Sequence, residues 1–126
     1  MGHKVVFISY PIRGRLYSST RRADIRTVRS ILSSICSKNY RRIREGKDEI
    51  IPIAPYLLHA DCAEDIGNAR ARFVGWEHNP PQELRVYGTH VCHAMRLEIA
   101  RMRVCDLPVI YQTPKVEQQT FLIAAE

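Results

Sequence analysis

Residues 83–111, ELRVYGTHVCHAMRLEIARMRVCDLPVIY, constrain the fold more than any other part of the chain. Leu84, Val86 and Tyr87 make a short apolar strand that stops at Gly88. Residues 89–92 form a loop. From about His93 the apolar residues Ala94, Met95, Leu97, Met102 and Val104 can share one broad helical face. Asp106 ends that run, and residues 107–111 make a second short strand. Strand, crossover helix and strand is the parallel βαβ unit. In such sheets ligands sit beyond the C-terminal ends of the strands, where loops lead into helices. That rule puts Gly88, Cys92 and His93 at a binding edge, with Met95 in the helix behind them. Glu98, between Leu97 and Ile99 in the second turn, is the one acidic residue of that helix. The helix dipole favours a carboxylate so near the N-terminus. Pairing with Arg101 or Arg103 on the solvent side is the plainer alternative.

The rest of the chain repeats the alternation. Residues 4–10, KVVFISY, are almost continuously apolar and β-branched, which predicts a central strand buried on both faces. Pro11 and Gly14 break it, so Ser9, Tyr10, Arg13 and Gly14 lie where the first strand meets its loop. This loop is basic and hydroxyl-rich, and Arg13 is its candidate for holding an anionic group. It lacks the glycine spacing of a P-loop or a dinucleotide fingerprint.

Ser19 or Thr20 can cap the next helix, in which Val28, Ile31, Leu32, Ile35, Cys36, Tyr40 and Ile43 keep helical spacing over about five turns. Gly46 is its expected stop. Residues 49–53 read as the second strand, and the prolines at 52 and 55 mark its end. Tyr56, His59 and Asp61 follow that end and are further site candidates. For His59 a purely structural role is the commoner one. Cys62, Ile66, Ala69, Phe73 and Trp76 predict a helix over about 63–77 with Asp61 as its cap, ended by Asn79-Pro80-Pro81. The order β-α-β-α-β-α-β gives a small doubly wound α/β domain with a parallel sheet.

With 126 residues the chain makes one domain. No apolar run is long enough to span a membrane and no export signal precedes the first strand, so the expectation is a cytoplasmic protein without a membrane partner. The four cysteines, at 36, 62, 92 and 105, show no Cys-x-x-Cys spacing. They are expected to be reduced and mostly in the core. The net charge of +6 is uneven: residues 1–63 hold 12 Lys/Arg against 5 Asp/Glu, and residues 64–126 hold 7 against 8. A basic half suggests an anionic partner, a phosphorylated small molecule or nucleic acid. Few aromatics interleave with the arginines, which disfavours a stacking platform for single strands. Residues 116–125 are apolar enough to need cover, either as an added edge strand or against a second subunit, and Phe121, Leu122 and Ile123 point to a homodimer.

KVVFISYPIRG, EIIPIAPYLLHADC, ELRVYGTHVCHAMRLEIA and LPVIY, in that order and spacing, resemble the nucleoside 2-deoxyribosyltransferase-like superfamily, above all its small phage- and bacterium-encoded relatives. The resemblance runs over about residues 4–111. It implies a flavodoxin-like fold, a nucleoside or nucleotide as ligand, and cleavage of an N-glycosidic bond with Glu98 of MRLE as nucleophile; no cofactor or metal is expected. It also implies a site completed by a neighbouring subunit. C1′ becomes oxocarbenium-like as the base leaves, and an aligned carboxylate stabilises or captures that charge. A second group must protonate the leaving base. Where relatives have a Ser-x-Gly-Met-like turn this chain has CHAM, and where they have an acidic residue before the third strand it has Gln82.

Three functions therefore stand side by side. They are an N-glycosidase or deoxyribosyltransferase, a nucleotide-binding module that has lost the chemistry, and a nucleic-acid-binding protein using the basic first half. The dense His90, Cys92, His93 group also invites a zinc site or a Cys–His nucleophile, without a clear fourth ligand.

Overall fold

The computed structural model describes residues 2–72, 76 and 79–112. Its elements are β1 (His3–Ser9), α1 (Ser19–Ser37), α2 (Asn39–Arg44), β2 (Glu49–Ile53), α3 (Leu57–Ala60), α4 (Ile66–Ala71), β3 (Glu83–Val86), α5 (His93–Val104) and β4 (Val109–Tyr111). The four strands form one all-parallel sheet in the order β2-β1-β3-β4, the doubly wound, flavodoxin-like arrangement. β1 is central as its sequence predicts, with Val6, Phe7, Ile8 and Ser9 all 0 % exposed.

Register decides which side chain serves which face. Ile8 is paired with Arg85, and Arg85 with Ile110. Paired residues in a parallel sheet point the same way, so these three share the face on which α1 packs. Phe7, Leu84 and Val109 share the other, as do Ser9, Val86 and Tyr111. That second face receives α4 and α5. The core lies on both sides, with Val28 of α1 and Met95, Ile99 and Met102 of α5 at or below 1 % exposure.

The edge strand β2 is protected by one amide. Asn39 donates to the carbonyl of Ile50 at 2.7 Å and accepts from its N–H at 2.8 Å, standing in for a neighbouring strand.

Several expectations need correction. Ser18 caps α1, accepting from the Arg21 N–H. The long first helix is divided at Lys38 into α1 and α2, so Tyr40 is 73 % exposed. The expected helix over 63–77 starts only at Ile66, with Asp65 as its cap. Asp61 instead closes the short α3. The Asp65 carboxylate takes the Asn68 N–H, which fixes the start of α4. Phe73 and Glu77 lie outside the described residues. Cys36 and Cys62 are exposed, and Cys92 and Cys105 are half-buried. The helices bury narrower stripes than their apolar content suggests, and Val104 is 77 % exposed at the end of α5. Phe121, Leu122 and Ile123, on which the dimer expectation rests, also lie outside the described residues.

Candidate functional site

The carbonyls of Ile8 and Tyr10 project toward β2, because those of Val5 and Ser9 are taken by Gln82 and Tyr87 on the β3 side. β2 ends at Ile53, opposite Phe7, so neither carbonyl has a strand partner there. Two side chains fill the gap. The Tyr56 hydroxyl donates to the Ile8 carbonyl at 2.6 Å, and Arg70 Nη1 donates to that of Tyr10 at 2.5 Å. The Arg70 guanidinium lies over the Tyr56 ring, 3.9 Å from its centroid. Burial pushes the Tyr56 phenol well above its ordinary range. Glu98 adds to that shift, and Arg70 opposes it.

Arg70 then grips Glu98. Its Nε donates to Oε2 at 2.9 Å and its Nη2 to Oε1 at 2.7 Å. Ser9 Oγ donates to the same Oε1 at 2.7 Å. Glu98 is 0 % exposed and Arg70 1 %. Burial alone would lower the Arg70 pKa, but the Glu98 carboxylate and the Tyr56 ring outweigh it, and the net shift is upward. Oε1 thus has both lone-pair directions filled, whereas Oε2 accepts only Arg70 Nε. The cluster sits at the C-terminal end of β1, beside the β1/β3 point where the strand order reverses.

The two loops at that edge touch. Gly88 has φ +99, and a Cβ there would lie 2.8 Å from Pro11 Cδ, so β3 can turn under the first loop only with glycine. Tyr10 is half-buried against the same glycine. Arg13 is drawn elsewhere. Its Nε and Nη2 donate to Asp24 at 3.1 and 3.0 Å, and its backbone N–H reaches the same carboxylate at 2.8 Å. The hydrogen bond that its side chain gives Asp24, with the charge of that carboxylate, raises the Arg13 pKa. Half of the Arg13 side chain stays exposed while Asp24 is buried. Gly14, at φ +77, turns the loop so that its carbonyl accepts from Arg21 at 2.8 Å. The same Arg21 guanidinium donates to the carbonyls of Ala60, Ala63 and Glu64, tying the first loop to the turn after α3.

Of the residues singled out in the sequence, Ser9, Tyr10, Tyr56, Gly88 and Glu98 come together at this edge. Cys92 is the half-buried N-cap of α5 and makes no side-chain cap bond; His93 is exposed in the first turn. Met95 is fully buried in the core. His59 lies half-buried on α3. Asp61 faces α1, where it pairs with Arg29 at 3.0 Å. Gln82 is at the opposite end of β3, where its side-chain oxygen accepts from the Val5 N–H at 2.7 Å. It therefore has no bearing on the Glu98 edge.

Sequence reasoning missed Arg70. The available signal was position: Arg70 follows Ile66 by one helical turn, adjacent to Ala69, on the stripe that packs inward. Among the described residues, no three His, Cys, Asp or Glu side chains converge as a metal site. No helix of the described residues is long and apolar enough to cross a membrane. Compared with protein-family models, curated proteins and solved structures, the chain matches none.

Proposed function

We propose that the protein binds a nucleoside or nucleotide at the β1/β3 edge and cleaves its N-glycosidic bond, with Glu98 as the carboxylate that meets C1′. The observation that carries this reading is the Ser9–Glu98–Arg70 cluster, an ion pair held at the end of the sheet where ligands of this fold class bind. Ser9 and Arg70 fix the carboxylate on one side, and Oε2 retains the free lone pair for the sugar carbon. The exposed half of Arg13 is a candidate for a phosphate on the ligand, since its loop leaves β1 at the same edge.

A second reading is favoured by a specific observation. Glu98 is 0 % exposed and both its oxygens are held by Arg70. An enclosed, charge-paired carboxylate is a weak nucleophile, and the same geometry suits a module that binds a nucleotide without cutting it.

The test is release of free base from a panel of nucleosides and nucleotides by wild type, beside Glu98→Gln. The enzyme reading expects release by wild type, none by the variant, and a glycosyl adduct on the Glu98 peptide by mass spectrometry. Ligand affinity should stay within about tenfold, or 1.4 kcal/mol. Circular dichroism checks that the variant is folded. Release that survives in Glu98→Gln removes Glu98 from the mechanism. No release from any compound, with tight binding of one nucleotide, selects the binding module.

A further inference from the structure

Helices α1 and α2, with Lys38 between them, hold eight basic side chains and a single acidic one, Asp24. Asp24 is 2 % exposed and already taken by Arg13. Arg21 is buried as well, so seven cations remain toward solvent. Arg29 and Arg41 meet the carboxylates of Asp61 and Glu45. Among the described residues, Arg22, Arg26 and Lys38 meet no carboxylate.

Their spacing is regular. Positions 22, 26, 30, 34, 38 and 42 carry Arg, Arg, Ser, Ser, Lys and Arg, each a hydrogen-bond donor. Successive positions four apart advance about 6 Å along a helix axis. The surface beside them is hollowed. A depression of about 290 Å³ is lined by Arg22, Ile25, Arg26, Arg29 and Asp61, the last paired with Arg29. It shares Arg26 with a second of about 330 Å³, which in turn shares Thr27 and Ser30 with a third of about 510 Å³. The third runs past Ser34 to Lys38 and Arg42, with Arg85 of β3 and Tyr87 on the sheet side. Arg85 and α1 share one face of the sheet, and Glu98 lies on the other. The trough is therefore separate from the Glu98 site, and its occupation does not depend on what Glu98 does.

We propose that this trough along α1 and α2 binds the sugar–phosphate backbone of a single nucleic-acid strand, without sequence preference. Three features select that partner. The cations wind along α1 onto α2, turning about 40° with each step of four residues, rather than gathering in one pocket, which suits a repeating anion better than one small phosphorylated molecule. Two of the hollows they border are clefts, one against Asp61 and one against Arg85 and Tyr87, which an extended chain can enter and a lipid surface cannot. Tyr87, half-buried on the sheet side, lines the third depression and is the one aromatic ring there. Arg22, Arg26, Lys38 and Arg42 would displace the strand's counter-ions into solution, so binding must weaken steeply with salt.

The test is fluorescence anisotropy with labelled oligothymidylate and oligouridylate of about 20 nucleotides, using the full chain and KCl from roughly 50 to 200 mM. Arg26→Glu and Lys38→Glu are compared with Arg96→Glu, an equal charge change at an exposed position on α5. Binding of either oligonucleotide by wild type is expected, with log Kd rising linearly with log salt. Each trough variant should weaken binding by about tenfold or more and lower the salt slope by about one, while Arg96→Glu changes affinity less than about twofold. All three substitutions are at exposed positions, and circular dichroism verifies each fold. Three outcomes overturn the proposal: no binding at the lowest salt, equal loss in all three variants, or binding to anionic vesicles with none to either oligonucleotide.

Discussion

Arg70 and Glu98 are 28 residues apart in the chain, yet each is enclosed by the other, with two parallel hydrogen bonds of 2.9 and 2.7 Å between them. A bidentate guanidinium–carboxylate contact of this kind is directional as well as charged. It locks α4 to α5 and ties both, through Ser9 and the Tyr10 carbonyl, to the end of β1.

Removing one partner should therefore cost far more than removing both. Arg70→Met leaves a buried carboxylate with only Ser9 as donor, a loss of about 3–5 kcal/mol. Arg70→Met combined with Glu98→Leu should recover most of it, because two apolar side chains replace two desolvated charges. Urea unfolding of wild type, the single variant and the double variant measures this. A double variant as unstable as Arg70→Met would contradict the idea that the pair acts as a unit.

Gly88→Ala is expected to disturb the ligand edge directly. Its backbone sits at φ +99, and the added methyl would start 2.8 Å from Pro11 Cδ. Strain of this sort costs roughly 1–3 kcal/mol before any clash is counted. The loops after β1 and β3 must part to relieve it, so on the proposed reading affinity for a nucleotide should fall beyond what the stability loss explains. Thermal unfolding and binding measured on the same preparation separate the two effects. An unchanged melting temperature would show that the loops give way freely.

Asn39→Leu tests the protection of the sheet edge. The substitution leaves the N–H and carbonyl of Ile50 without their partner at a position where Asn39 is only 8 % exposed. An unsatisfied buried group costs about 1–3 kcal/mol, so destabilisation at the upper part of that range is expected. Amide hydrogen exchange at Ile50 should speed up in the variant. If it does not, the amide of Asn39 is not what covers the edge of β2.

Much of this was legible in the sequence, for local reasons. KVVFISY has no polar alternation, so a strand buried on both faces was the one reading open to it, and β1 is that strand. The C-terminal edge of the sheet followed from strand polarity, and Ser9, Tyr10, Gly88 and Glu98 do gather there. What was not legible depends on partners distant in sequence. Nothing near Arg13 announces that Asp24 will hold it, and nothing near Glu98 announces Arg70. The start of the helix expected over 63–77 was misplaced locally too: Asp65 offers a better start than Asp61, because its carboxylate can reach the Asn68 N–H. Tyr40 and Val104 kept an apolar spacing but lie at helix ends that leave the sheet, so periodicity overstated the core.

Acid sensitivity should centre on Glu83. It lies at the start of β3 beneath α1, accepting from Lys4 at 3.1 Å and from Arg85 at 2.6 Å. Burial alone would raise its pKa, but the hydrogen bonds and charges of Arg85 and Lys4 outweigh it, and the net shift is downward. A carboxyl whose folded pKa is depressed binds its proton more readily in the unfolded chain. Its contribution is complete above the unfolded value, about 4.3 for glutamate, and is lost as the pH falls through the lower folded value. Glu83→Gln removes that contribution and leaves Lys4 and Arg85 without their carboxylate, so at pH 7 the variant should be less stable than wild type. Between about pH 5 and pH 3 the two stabilities should converge, because wild type loses in acid what the variant never had. Urea unfolding of both proteins across that range measures the gap. A gap that stays constant as the pH falls would place the acid-sensitive carboxylate elsewhere in the fold.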